Sequence, residues 1–553
     1  MLKHEKASGA KINKSKSEIT YYGNAKDGNK EWGFKNIQGE RKALGVYIGE
    51  NAEEADNKTW GDLISKIKSN LNLWKLRGLM LRGRVAVVNA LTMSKVNHAL
   101  STCVLPLWAY KEINSVIDSF VWKGKANIVA HKTLMGSKKQ GGLAIVDLKT
   151  KQEALRIKMV GKFLAQEVEP AWKGFFQEHL ESFGFRNKIN LIQKQKDNCY
   201  EHLPAFFKEV LDAWYQVLPL TVPECGTRGC VLQLPFLSSP YFRHKGRVLV
   251  NGALGRAGIT QIKHIVNTKG EIDSEKVIGK LKEEKIKFRK DVINKFLEKI
   301  KGCIKKEWWD VLKCNNDVVR DDEVEILLCL GAKTSNIKHT KTRNIYHALL
   351  HTRLQPPTAE KKWTLTFPNY DTSNIWKNLD IANTPHTVFN MDFKIRHRRV
   401  FTSIILHQIC KEKYKRCCYV CKTEDEDLEH LFLKCHELRS FHEKLWSFIQ
   451  DKCGIQIPEA EKEWTLFFGL NGGKNKLTNI VNMVLAFARQ AIFNRRNYAL
   501  YEEKMKNVWT LFTCTLKAHL KLLFMVEGRE FAQFYTENTG LCTVDGKEVF
   551  FEF

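Results

Sequence analysis

From residue 57 onward, apolar side chains recur at the three-and-four spacing of an amphipathic helix: Trp60, Leu63, Ile64, Ile67, Leu71 and Trp74. Val85, Val88, Leu91, Val96 and Leu100 continue the pattern as a second helix, which ends before Pro106. Ile113, Val116, Ile117 and Phe120 predict a third, and Gly141-Gly142 breaks the chain before a fourth that covers residues 155–164. The first 50 residues have a different pattern. Residues 17–23 and 43–49 are short β-branched or aromatic runs closed by glycine, as in the edge of a sheet. Beyond residue 166, aromatic-rich and basic segments alternate, with one helix predicted through Val277, Ile278, Leu281, Phe288, Val292, Phe296 and Ile300. Pro356-Pro357 opens a connection, and residues 477–500 and 508–526 predict two long helices before a tail of turn and short strand. No repeat of fixed period is present.

The pattern gives a mainly α chain with a small N-terminal β remnant, an α+β class, in five segments. These are a strand-bearing stretch (1–50), a small helical domain (51–165), a mostly helical middle region without recognisable chemistry (166–345), a cysteine-bearing segment (346–440) and C-terminal helices (441–553).

Composition narrows what such a chain does. Of 553 residues 43% are apolar and 11% aromatic, enough to bury a sizeable core, which excludes global disorder and collagen-like repeats. The net charge is +28, and it is unevenly spread: residues 71–160 carry +11 and residues 241–320 carry +10, whereas 171–240 sum to zero. Clustered Lys and Arg gain free energy on a phosphate backbone by releasing condensed counterions, so RNA, DNA or an RNA–DNA duplex is the expected partner. A merely solvated basic face is the plain alternative. Fifteen cysteines are too sparse for a secreted disulfide scaffold, and the N-terminus lacks the apolar core of a signal peptide. A reducing interior, nucleus or cytoplasm, is expected. The longest uncharged stretch, residues 96–110, contains Pro106 and falls short of the ~18 to 20 residues of a membrane span, so no membrane is expected.

One cluster carries defined chemistry. Cys418, Cys421, His430 and Cys435 follow C-x2-C-x8-H-x4-C. A Cys-x2-Cys turn aims two thiolates at one point, and a His with a third Cys completes a tetrahedral zinc shell. Four protein ligands leave no open position for water, so one Zn2+ here would be structural. Buried free cysteines beside a core histidine are the alternative, and Cys417 and His436 adjoin the set as substitutes. The acidic run at residues 424–429 would repel phosphate from this loop. The adjacent Asp321 and Asp322 lie in a charged helix start and not on the rigid hairpin that two-metal chemistry needs. No Walker A loop, no nucleotide-binding G-x-G-x-x-G after a strand, no H-E-x-x-H and no G-x-S-x-G is present.

The nucleic-acid candidates are Lys75, Arg77, Arg82, Arg84, Trp122, Lys123, Lys125, Lys138 and Lys139. Lysines meet phosphates, the Trp122 indole stacks on a base or else belongs to the core, and Gly141-Gly142 allows close backbone approach. Arg82 and Arg84 flank Gly83 at a helix start, where backbone N–H groups favour an anion. Arg489, Arg495 and Arg496 read as a solvated face of a C-terminal helix.

Together, Ser8-Gly9-Ala10-Lys11-Ile12-Asn13-Lys14-Ser15-Lys16-Ser17, Leu44-Gly45-Val46, Trp74-Lys75, Leu81-Arg82-Gly83-Arg84, residues 120–124 and Gly141-Gly142-Leu143 resemble the late part of non-LTR (LINE-type) retrotransposon reverse transcriptases. The cysteine segment, with Asp427-Leu428-Glu429-His430-Leu431-Phe432, resembles the zinc-binding domain downstream in those polyproteins. The resemblance implies that residues 1–50 are a palm remnant with primer-grip-like strands, and that residues 51–165 are a thumb holding primer–template by its backbone. It also implies that the aromatic-x-Asp-Asp catalytic hairpin lies upstream of this stretch. On that basis the chain is expected to be a non-catalytic, truncated remnant that keeps sequence-independent RNA or DNA binding. The alternatives are a component of an active RNA-directed DNA polymerase that needs a separate catalytic half, and an interaction protein or expressed pseudogene without retained activity.

Overall fold

The apolar stripe of residues 57–74 folds as a helix, Ala52–Lys75, in a computed structural model that describes residues 6, 9, 11, 13, 15–21, 34–36, 39–165, 170–182, 191, 203–314, 325–330, 333–379, 384–471, 475–545, 548–551 and 553. Asp321 and Asp322, most of residues 8–14, and Tyr22 and Gly23 lie outside the described residues. Trp60, Ile64, Ile67 and Leu71 are buried, but Trp74 is 37% exposed and Leu73 and Leu76 more so, so the stripe ends one turn early. The fold is mainly α with a few short sheets. Among the described residues no helix is long and apolar enough to cross a membrane.

The expected second helix is a continuous helical rod with a widened π turn at its middle: Leu81–Val87, Val88–Thr92, Met93–Thr102. Pro106 precedes Leu107–Val121, whose Ile113, Ile117 and Phe120 are fully buried, and Leu148–Leu164 follows, capped by the Asp147 carboxylate on the Thr150 N–H at 3.0 Å.

Two units divide the chain. The first takes residues 1–63, 96–110 and 147–353. Its strand pair Arg41–Ala43 and Val46–Ile48 turns at Leu44 and Gly45, with φ of 50° and 93°, as the two-residue hairpin requires. Leu148–Leu164 packs on Ala205–Val217 and Thr342–Arg353. At this contact the buried Arg156 pairs with Glu209 at 2.9 Å and donates to the Leu100, Ser101 and Cys103 carbonyls. The helix predicted through residues 277–300 is two helices, Ser274–Glu283 and Lys290–Cys303, because Lys285 takes φ of 52° between them.

The second unit takes residues 64–95, 111–146 and 354–553. Its axis is Lys476–Tyr501, buried on nearly every face, with His386–Arg396, Arg439–Cys453 and Val508–Glu527 around it. A helix buried all round has to be apolar or to satisfy its polar groups internally. Here Arg489 and Arg496 are each 1% exposed, and Arg495 8%. This corrects the expectation of a solvated face, for a reason given below. Gly141-Gly142 is also used within the protein: a Cβ on Gly141 would stand 2.8 Å from the Trp376 ring, and one on Gly142 1.9 Å from the Gly136 carbonyl oxygen.

Candidate metal centre and basic surface

Cys418 to Cys435 form a compact knot because each turn is stabilised locally. The Cys-x2-Cys turn is closed by the Lys422 N–H on the Cys418 carbonyl at 2.9 Å, with Lys422 left-handed at φ 63°, and the Val420 N–H points at Cys418 Sγ at 3.4 Å. Asp427 Oδ1 accepts the His430 N–H at 2.6 Å and starts a π turn, His430–Lys434. In that wider turn the Cys435 N–H reaches the His430 carbonyl at 3.1 Å, which brings residues five apart to one side.

The four predicted ligand atoms, three Sγ and one imidazole nitrogen, all lie within 4.8 Å of one another. A tetrahedral zinc site with Zn–S of ~2.3 Å and Zn–N of ~2.0 to 2.1 Å has edges of roughly 3.5 to 3.8 Å, so the donor set fits with small adjustments. Cys421 Sγ is 3.4 Å from His430 Nε2, and His430 Nδ1 is 3.2 Å from Glu424 Oε2. That carboxylate leaves Nε2 for the cluster, the orienting contact that metal-bound imidazoles have. Cys417 instead bridges Asp425 through the backbone, and His436 is exposed beside Glu437.

Electrostatics at the cluster lowers two of the three thiols, Cys421 and Cys435, and raises Cys418. Cys418 and Cys435 share a hydrogen bond that raises the Cys418 thiol and lowers the Cys435 thiol from their ordinary value. At Cys421 burial opposes ionisation, but the Thr423 hydroxyl at 3.3 Å and neighbouring backbone N–H groups outweigh it, and the thiol is lowered. At His430 burial works against protonation, yet hydrogen bonds to Cys418 and Cys421 raise it.

The acidic run beside the cluster is occupied within the protein. Glu426, fully buried, accepts the Arg496 Nε–H at 3.0 Å and the Ser403 N–H at 2.9 Å. Glu429 pairs with Arg398 at 2.6 Å, whose guanidinium lies over the Trp363 ring. Arg489 grips Asp392 through two N–H groups, and Arg495 reaches Glu437 at 3.1 Å. The C-terminal arginines are therefore the counterions of three carboxylates 58 to 97 positions away in the chain, of which Asp392 and Glu426 are buried and Glu437 is exposed. No local sequence signal marks such partners.

All nine nucleic-acid candidates fall in the second unit. Lys75 and Arg77 are exposed at and just beyond the end of Ala52–Lys75, and Lys138 and Lys139 are exposed on a short 3-10 turn. Arg82 lies over the Phe389 ring at 3.8 Å. Arg84 is buried and donates to the Leu79 carbonyl at 3.1 Å and to the Phe120 and Val121 carbonyls, so its guanidinium closes the end of Leu107–Val121. Trp122 is 6% exposed, while Lys123 and Lys125 beside it are exposed. Four of the nine, Arg84, Trp122, Lys123 and Lys125, line one cavity together with Asn390, Phe393 and Lys394. The last three were not foreseen, although Lys394 and Arg396 in the last turn of His386–Arg396, followed by Arg398 and Arg399, are a local basic signal that could have pointed to them.

No protein-family model matches the chain. It is similar to the transposon TX1 uncharacterized 149 kDa protein of Xenopus laevis, 25% identical over 291 residues, covering 50% of this chain and 22% of that protein. It is also similar to a protein of Arabidopsis thaliana described as "Putative ribonuclease H protein", 28% identical over 141 residues, covering 25% of this chain and 23% of the other. The chain spans under a quarter of the length of these curated relatives, and one of them is transposon-encoded.

Proposed function

We propose that this chain is a retrotransposon-derived, LINE-type reverse-transcriptase segment comprising the end of a palm, a thumb and a zinc-binding segment. In this reading it binds RNA, DNA or their hybrid by the backbone, independently of sequence. The observation that carries it is the Cys3His cluster, held at ligand distance in a chain related to a transposon-encoded protein. Cys418, Cys421, His430 and Cys435 would hold one Zn2+, which closes the loop as a structural ion and supplies no reaction step. The exposed Lys75, Arg77, Lys123, Lys125, Lys138 and Lys139 would supply the phosphate contacts. The reading gives these 553 residues no polymerase chemistry, since no set of carboxylates for a pair of divalent cations is assigned to them.

Three measurements test it. Metal analysis is expected to return about one zinc equivalent per chain, and none would remove the metal assignment. A salt titration on an RNA–DNA duplex is expected to show micromolar binding that weakens steeply with salt; no binding at low salt refutes the nucleic-acid reading. Primer extension with magnesium is expected to give no incorporation, and incorporation by the purified chain would establish an enzyme.

A further inference from the structure

The cavity beside Trp122 has a composition that the proposed backbone binding does not use. It measures about 220 Å³, and its walls are apolar: Met80, Leu81, Val121, Ile128 and Phe393 with the Trp122 ring. Two of its lining residues carry buried polar atoms that no protein group satisfies, the Trp122 indole N–H and the Asn390 side-chain oxygen. A buried donor or acceptor left unmatched costs ~1 to 3 kcal/mol, and here two of opposite kind belong to side chains that line the same cavity.

Around the same cavity stand three ammonium groups. Leu107–Val121 ends in consecutive left-handed residues, Lys123 at φ 55° and Gly124 at φ 72°, with the Gly124 N–H on the Ser119 carbonyl at 2.7 Å. This turn sets Lys123 and Lys125 on the cavity lining, and Lys394 joins them from His386–Arg396. Among the described residues no carboxylate pairs with any of the three, and burial, with Lys125 beside it, pushes the Lys394 ammonium down from its ordinary value. Arg84 takes no part in recognition, because its guanidinium is spent on carbonyls that fix the Val121–Trp122 backbone.

We infer that this cavity receives one unstacked nucleobase of a bound single strand, with the flanking phosphates on Lys123, Lys125 and Lys394. The inference rests on the nucleic-acid reading above and adds a specific seat to it. The volume is below the ~300 to 1,000 Å³ of drug-sized sites, which suits a single planar base and not a peptide side-chain array. Every base presents acceptors and donors on its edge, which an aliphatic ligand does not, and a base offers its face to the apolar walls. The seat therefore accepts any base, in keeping with binding that ignores sequence.

The test is fluorescence anisotropy on the full chain at low salt, with an oligothymidine dodecamer and an abasic strand of equal length. The intact strand is expected to bind about tenfold or more tightly than the abasic one. Trp122→Phe keeps a ring but loses the N–H, and should weaken the intact strand roughly three- to tenfold while leaving the abasic strand unchanged. Asn390→Leu should give the same pattern from the other polar handle, so a folding defect in one variant leaves the other decisive. Lys394→Gln should weaken both strands alike. Equal affinity of the unaltered protein for the two strands, or intact-strand binding unaffected by both handle variants, overturns the base seat while leaving phosphate binding in place. No binding to either strand overturns both.

Discussion

Two sets of cations in the second unit read alike along the chain and behave oppositely in the fold. Arg489, Arg495 and Arg496 on Lys476–Tyr501 are buried and matched by Asp392, Glu437 and Glu426. Lys123, Lys125 and Lys139 are exposed and have no carboxylate partner among the described residues. Removing a charge from water costs several kcal/mol, so a buried guanidinium persists where fixed carboxylates or backbone carbonyls replace the lost hydration. Unmatched lysines carry no such cost at the surface, and their potential stays available to an anion from outside. Charge content therefore says little about function until the partners are known.

The largest effect that would break this comparison is loss of the metal. The loop carrying Glu424, Glu426 and Glu429 is short and held by its ligands, so chelation, Cys418→Ser or His430→Ala should release the zinc and abolish amide exchange protection over residues 416–438. Protection that survives metal removal would mean that the buried ion pairs alone hold the loop. Next, Arg496→Met leaves Glu426 buried without its counterion and should destabilise the unit by about 3 to 5 kcal/mol in denaturant titration. The double variant with Glu426→Leu should recover most of that loss; if it does not, the pair is not the reason for burial.

A buried base without a carboxylate sharpens the point. His397 donates toward the Gly141 carbonyl at 2.8 Å, and burial pushes its imidazole down to about 4. The unfolded chain takes up this proton near its ordinary value of about 6.5, so between the two values the unfolded state binds more protons and stability falls as the pH drops. The loss should reach up to about 3 kcal/mol toward pH 4, and His397→Gln should flatten that part of the stability profile. The smallest effect on folding belongs to the lysines. Lys125→Gln and Lys139→Gln should leave unfolding unchanged, while each lowers the salt slope of nucleic-acid binding by about 1.

What the chain reveals by inspection is what its residues decide locally. The metal cluster is legible because its ligands fall within one short segment and each turn between them is closed by its own backbone. The amphipathic helices are legible for the same reason, but their edges are less so: the helix expected over residues 155–164 starts at Leu148 behind the Asp147 cap, and the run at 43–49 is broken by the turn at Leu44 and Gly45. The long-range contacts are not legible. Whether Arg489 faces water depends on Asp392, 97 positions away. Gly141-Gly142 reads equally as an approach for a phosphate or for Trp376, and only the fold decides in favour of Trp376. The break at Lys285 is hidden because apolar positions on both sides continue at helical spacing.

The interleaved division of the chain has a consequence for its synthesis. Residues 64–95 and 111–146 belong with residues 354–553, and the Met80–Asn390 contact spans 310 positions. At about 5 to 20 residues per second a ribosome needs roughly 15 to 60 s to supply the second half of that contact. During that time the Leu81–Val87 turn of helix and the basic segment after Val121 exist without the surfaces they end against. Nascent chains of this protein should therefore depend on chaperones in proportion to how slowly that interval is translated, and no single cut within it should release an independently folding half.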